Sequence, residues 1–197
     1  MKKRLYCLVV AAAMSFPVLA AKLDIQPNSL YPQVEFDTSM GKVIVELDRT
    51  RAPITVDNFL TYAVSGDYNN TIFHRVISEF VVQGGGLKPN LKEIKIRDAI
   101  VNESGNGLQN DRGSIAMARE NSPHSATNQF YFNVADNSAL NPSTRRWGYT
   151  VFGEVVSGME VIDAMSQVPT SHNATLGWPD VPVKPIILKS VKLLPRN

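Results

Sequence analysis

Cysteine appears once in the 197 residues, at Cys7, and histidine three times, at His74, His124 and His172. These absences remove whole classes of chemistry. No pair of Cys or His residues stands at finger or helical spacing, so no metal centre is expected. One cysteine cannot make a disulfide framework. Ser114 follows Gly113 but lacks the flanking pattern of a strained nucleophile elbow. Gly84-Gly85-Gly86 is not completed by the lysine and hydroxyl residue of a phosphate loop, and no dinucleotide fingerprint is present. The triglycine run is read as a turn, and no cofactor is expected.

Long apolar runs are missing as well. Lys2, Lys3 and Arg4 precede an uncharged stretch from Leu5 to Phe16, and Pro17 leads into Val18-Leu19-Ala20-Ala21. About a dozen apolar residues fall short of the roughly 20 that span a bilayer core. A basic start, a short apolar centre and a small-residue end are instead the layout of a secretory leader. Residues 1–20 are therefore read as a cleaved signal peptide that exports the chain and leaves no membrane anchor; cleavage after Ala21 is also reasonable. Its removal takes Cys7 and three of the 20 basic residues, leaving 17 basic against 18 acidic. A near-neutral chain gives no reason to expect a nucleic-acid or anionic-membrane partner. Without thiols it must be held by its core, which about 175 residues in one domain can supply.

Residues 21–33, polar and with Pro27 and Pro32, are read as a flexible lead-in, and a single domain is read from 34 to 194. Val43, Val45 and Leu47 alternate against Lys42 and Glu46, which predicts the second arm of a hairpin with Val34–Asp37. Pro53 suits a first helical position, and Val56, Phe59, Leu60, Ala63 and Val64 recur at helical spacing, predicting a helix over 53–64. Short β-rich segments follow at 71–75, 80–83, 114–118, 129–134 and 151–156. Ser157 is placed as the N-cap of a second helix reaching about Ser166, and 186–194 returns to a strand pattern. These residues by themselves leave a closed antiparallel barrel and a sandwich both open.

The block Phe73-His74-Arg75-Val76-Ile77-Ser78-Glu79-Phe80-Val81-Val82-Gln83 brings an arginine, a phenylalanine and a glutamine close together in sequence. Strand parity sets Phe80 and Gln83 on opposite faces, so a site using both needs irregular backbone or a second segment. Together with Arg112-Gly113-Ser114-Ile115-Ala116-Met117-Ala118-Arg119, Ser125-Ala126-Thr127-Asn128-Gln129-Phe130-Tyr131-Phe132 and Tyr149-Thr150-Val151-Phe152-Gly153, this block resembles the cyclophilin family. The resemblance spans residues 34–194. It implies a mainly β fold, a closed eight-stranded antiparallel barrel capped by two α-helices, and a non-covalent peptidyl-prolyl cis/trans isomerase (rotamase) activity.

Carried over position by position, the resemblance makes Arg75 the catalytic guanidinium and gives Phe80, Val81, Tyr131 and Leu140 the proline pocket. Gln83 and Gln129 would line the peptide groove, Ala118 and Arg119 would offer backbone groups, and Tyr149 stands where many members carry histidine. His74 is read as structural. The blocks look most like the bacterial branch, and with the leader they imply a periplasmic enzyme. Its implied partners are unfolded or partly folded proline-containing chains, and its expected state is a monomer. Ala139 aligns with the tryptophan that eukaryotic members place against cyclosporin, so weak binding of that drug is expected; Trp147 lies in a different register. Tyr131 adds a hydroxyl where phenylalanine is usual, and if buried it needs a partner. The competing reading is a holdase chaperone that grips proline peptides on the same fold without significant turnover, against which the intact Arg75, Phe80 and Gln83 stand.

Overall fold

The computed structural model describes residues 24–195; the expected leader, Cys7 and the cleavage position lie outside them. In chain order the strands are β1 (Gln33–Thr38), β2 (Lys42–Leu47), β3 (Thr71–Ile77), β4 (Val81–Leu87), β5 (Ser114–Met117), β6 (Phe130–Asn133), β7 (Val151–Ser157), β8 (Thr170–Asn173), β9 (Trp178–Pro182) and β10 (Ile186–Leu193). Helix α1 (Pro53–Val64) lies between β2 and β3, and α2 (Met159–Ser166) follows β7. Eight strands close into a barrel in the order β1-β10-β3-β4-β6-β5-β7-β2, while β8 and β9 form a separate ribbon. Closure decides between the two architectures that the strand pattern left open.

Alternation fills the inside. On β1 and β2, Val34, Phe36, Val43 and Val45 are fully buried while their sequence neighbours reach the outer surface. The rings of Phe36, Phe130 and Phe132 meet in the centre, with Phe36 5.5 Å from Phe130 and 5.3 Å from Phe132, both edge to face. Phe59 of α1 plugs onto this cluster, 5.6 Å from Phe130 and 5.3 Å from Phe152. Each such ring is worth ~1.5–3 kcal/mol of burial. The interior is therefore a packed core, and anything bound must sit on the outside of the wall.

Helix α1 matches its expected span and has Pro53 in its first turn, but Ala52 gives it no side-chain cap. Its exposed donors are satisfied from a distance. The Glu103 carboxylate accepts from the backbone N–H of Ile54 at 3.2 Å and of Thr55 at 2.8 Å, which also places negative charge at the positive end of the helix.

Three expectations are corrected. Ser157 does not cap α2; it ends β7, and Gly158 caps the helix with φ of 88°. A side chain there would put its Cβ 2.4 Å from the Lys42 carbonyl oxygen, so glycine alone fits. The run Gly84-Gly85-Gly86 is not a turn: it lies within β4, and the turn is Ser78-Glu79-Phe80, so Phe80 precedes the strand it was expected to start. The lead-in touches the body where it is described. Arg49 donates to the carbonyls of Ile25 at 2.9 Å, Gln26 at 2.8 Å and Ser29, tying that stretch to the body. Finally, the β8–β9 ribbon was not anticipated; Pro182 and the polar run Thr170–Asn173 hide it from a periodicity search.

Candidate functional site

Barrel register assembles the site. Arg75 on β3 lies opposite Gln83 on β4, Gln83 opposite Tyr131 on β6, Tyr131 opposite Ala116 on β5, and Ala116 opposite Val151 on β7. Directly paired residues share a face, so these five side chains form one row across the outer wall. Their neighbours Val82, Phe130, Phe132 and Ile115 point into the core.

Parity would turn Arg75 inward with Phe73. A β-bulge prevents it: Phe73 and Arg75 lie opposite the consecutive residues Gly84 and Gln83, leaving His74 as the extra residue on β3. The irregular backbone that the sequence required is thus in two places, this bulge and the turn before β4. In that turn Glu79 has φ of 56°, and the Phe80 carbonyl is held by the Val134 N–H at 3.0 Å and the Asn137 amide at 2.9 Å. That anchoring swings the Phe80 ring onto the outer wall beside Val81 and Tyr131.

The result is a cavity of about 240 Å³ lined by Arg75, Phe80, Val81, Gln83, Ala118, Arg119, Tyr131, Leu140 and Tyr149. Of the residues expected from sequence, only Gln129 is outside this lining, and it stands one step behind. Arg75 Nη1 donates to Gln83 Oε1 at 3.2 Å, and Gln83 Nε2 donates to Gln129 Oε1 at 3.0 Å, which orients the guanidinium over the apolar floor. The Ala118 N–H is taken by the Gln129 carbonyl at 2.9 Å, so only the Ala118 carbonyl can face a bound chain.

Tyr131 is 4% exposed, and its hydroxyl finds the partner it needs by donating to Asn110 Oδ1 at 2.7 Å. Burial pushes its pKa well above the ordinary tyrosine value, with Tyr149 adding to the rise, so it remains a neutral donor. Asn110 in turn donates from Nδ2 to Asn141 Oδ1 at 2.9 Å and receives Asn133 Nδ2 at 3.3 Å. Asn110 was missed because a lone polar residue carries no periodic signal; the extra hydroxyl of Tyr131 was the available hint. Leu108, Ala116 and Val151, also missed, complete the apolar bed under the cavity.

Arg119 offers more than backbone. Its guanidinium lies 4.5 Å from the Tyr149 ring centroid and donates to the carbonyls of Gly148 at 3.3 Å, Trp147 at 3.0 Å and Glu120 at 2.8 Å. It fastens the 147–149 segment to the end of β5 and holds Tyr149 as a side wall, 5.9 Å from Tyr131. Ala139 is exposed in the short 3-10 turn Ser138–Leu140, and Trp147 stacks instead on His124 at 5.1 Å.

His74, 1% exposed, packs 5.5 Å from Trp178 of the β8–β9 ribbon, and its Nδ1 has no hydrogen-bond partner. Burial lowers its pKa to about 4, with the Arg75 charge adding to the drop, so it is neutral and structural near pH 7. Elsewhere a cavity of about 260 Å³ between Glu46 and Glu154 includes Arg112, but that guanidinium is bound to Asp163 at 2.8 Å. A cavity of about 630 Å³ beside Val168 and Ile187 holds no guanidinium.

The chain matches the family model for "Cyclophilin type peptidyl-prolyl cis-trans isomerase/CLD" over residues 33–193. It is 48% identical over 186 residues to peptidyl-prolyl cis-trans isomerase A of Dickeya dadantii, covering 94% of this chain and 97% of the relative. It is 49% identical over 164 residues to peptidyl-prolyl cis-trans isomerase cyp18 of Streptomyces antibioticus, covering 82% and 98% respectively. A crystal structure of a Cryptosporidium parvum cyclophilin type isomerase, in the presence of the dipeptide Ala-Pro, superposes with a TM-score of 0.68 at 26% identity, covering 83% of this chain and 99% of that one.

Proposed function

Since the chain belongs to the cyclophilin-type peptidyl-prolyl cis/trans isomerases, we propose that Arg75 is its catalytic residue and that the outer-wall cavity is where the prolyl bond turns. The barrier to amide rotation is resonance, about 18–20 kcal/mol, and X–Pro bonds cross it unaided in tens to hundreds of seconds. No covalent bond has to break. In the twisted transition state the prolyl nitrogen regains its lone pair, and a donor aimed at it favours that state over both planar forms. A guanidinium held by Gln83 at 3.2 Å over an apolar floor supplies such a donor in fixed orientation.

Phe80, Val81, Tyr131 and Leu140 hold the proline ring by its apolar faces while the preceding carbonyl swings. Gln83 and Gln129 face the peptide backbone, and Tyr149 closes the side. Bringing tens of seconds to milliseconds requires about ten-thousand-fold, or roughly 5–6 kcal/mol of differential stabilisation. One preorganised charged donor supplies about 2.7–4 kcal/mol of that, and ring anchoring supplies the remainder. The observation that carries this reading is the bulge at His74, which spends an irregular residue to turn one guanidinium out onto the apolar floor.

Residues 1–20 are taken as a signal peptide, and 34–194 as one isomerase domain acting as a monomer on exported, proline-containing chains in the periplasm. Cyclosporin binding is weak on this reading, because Ala139 leaves the groove without an indole. The test is the cis-to-trans rate of a short Ala-Pro peptide with the purified chain, beside an Arg75→Ala variant whose circular dichroism and unfolding midpoint match the parent. Acceleration that drops by about a hundredfold or more in the variant is expected. A variant that keeps the parental rate removes Arg75 from the mechanism.

A further inference from the structure

The groove carries two cations and no anion. Arg75 and Arg119 both line the cavity, and none of the other lining residues is acidic. Neither guanidinium takes part in an ion pair among the described residues. Arg119 is bound instead to backbone carbonyls and lies over the Tyr149 ring, contacts that fix its position but leave its net charge uncancelled. Behind Leu140, Arg146 adds a third cation, donating to the carbonyls of Ala139 and Asn141. Two carboxylates come near in sequence, Glu79 and Glu120, and both are solvent-exposed and absent from the lining, where water screens them.

A guanidinium partly shielded by a protein wall interacts with a bound charge more strongly than one in open water. We propose that Arg119 makes this enzyme selective for prolines flanked by an acidic residue, so that its preferred substrates are acidic proline-containing segments and basic ones are disfavoured. The assignment rests on the cavity being the isomerase site. It does not require Arg119 to touch the reacting bond. The neighbour of the bound proline runs along the wall that Arg119 and Tyr149 form, and its carboxylate meets there the one N–H, on Nη2, that the carbonyls of Gly148, Glu120, Asn121 and Trp147 leave free.

The experiment uses short peptides identical except for Glu, Gln or Lys beside the proline, in one series before it and in another after it. The isomerisation rate constant kcat/KM is measured for each at low and high salt with the parent, Arg119→Gln and Arg119→Lys. Because the readout is the Glu-to-Lys ratio within one protein, a general loss of activity or of folded fraction cancels. The parent is expected to favour Glu over Lys about threefold to tenfold in at least one series, with the ratio shrinking at high salt. Arg119→Gln should at least halve that ratio, and Arg119→Lys, which keeps the charge but not the planar fork, should retain most of it.

A parental ratio within twofold of one in both series overturns the proposal. So does a ratio that Arg119→Gln leaves unchanged, or one that Arg119→Lys abolishes as fully as glutamine does. The Gln peptide reports the isomerase activity itself. Its failure to be accelerated by the parent would reject the site rather than the selectivity.

Discussion

The Tyr131 hydroxyl and Asn110 permit a test in which two damaging substitutions cost less together than their sum. Tyr131→Phe keeps the ring and removes one buried hydrogen bond, while Asn110 Oδ1 still receives Asn133 Nδ2 at 3.3 Å; the expected cost is about 1 kcal/mol. Asn110→Ala does more. It strands the Tyr131 hydroxyl in a residue that is 4% exposed, a penalty of about 1–3 kcal/mol, and it removes the bond to Asn141 at 2.9 Å, worth about 1 kcal/mol. Asn133 loses little, because its Nδ2 also donates to Ser114 Oγ at 2.8 Å.

The single variant should therefore lose about 3 kcal/mol. In the double variant the stranded hydroxyl is gone, so its loss should be near 2 kcal/mol rather than the additive 4, a coupling of about 2 kcal/mol. Urea unfolding followed by circular dichroism gives all four stabilities. Additivity within about 0.5 kcal/mol would refute the pairing. In the isomerase assay Tyr131→Phe should stay within a few-fold of the parent, since the floor keeps its ring.

Two more outcomes are expected. His74 binds a proton in the unfolded chain below about pH 6.5 but in the folded chain only near pH 4, so its contribution is complete above pH 6.5 and is lost as pH falls toward 4. The loss approaches about 3 kcal/mol, and urea midpoints between pH 7 and 4 should fall less steeply in His74→Phe; equal slopes would assign the acid sensitivity to other groups. Ala139→Trp should restore an indole beside Leu140 and tighten cyclosporin inhibition about tenfold or more, the worth of a buried aromatic anchor; unchanged inhibition would mean that the residue does not face the drug.

The site was more legible than the backbone that builds it. Arg75, Phe80, Val81, Gln83, Tyr131, Leu140 and Tyr149 were named from ordered blocks and meet in one cavity. What could not be read was how they face the same way, because a bulge at His74 is a departure from alternation and leaves no mark in an apolar pattern. The triglycine run misled for a related reason. Glycine signals a turn when judged locally, yet here Gly85 adopts φ of 86° inside β4, and a Cβ on it would lie 2.7 Å from the Phe130 ring and 2.9 Å from the Asn128 carbonyl. Helix α1 was recovered to the residue because Pro53 and the spacing of its buried face are local signals. Its capping by Glu103 and the Asn110 bonds are tertiary, and no window of sequence contains both partners.

The place of β10 in the barrel bears on how the molecule comes into being. This last strand pairs with β1 on one side and β3 on the other, so a chain emerging from the ribosome would hold two unsatisfied strand edges until residue 193 is free. Closure joins segments more than 150 positions apart, as with Val34 opposite Leu193, and such long-range pairing is slow. The molecule must therefore complete its barrel by a late, non-local step, and during synthesis its open strand edges depend on whatever guards exposed strands.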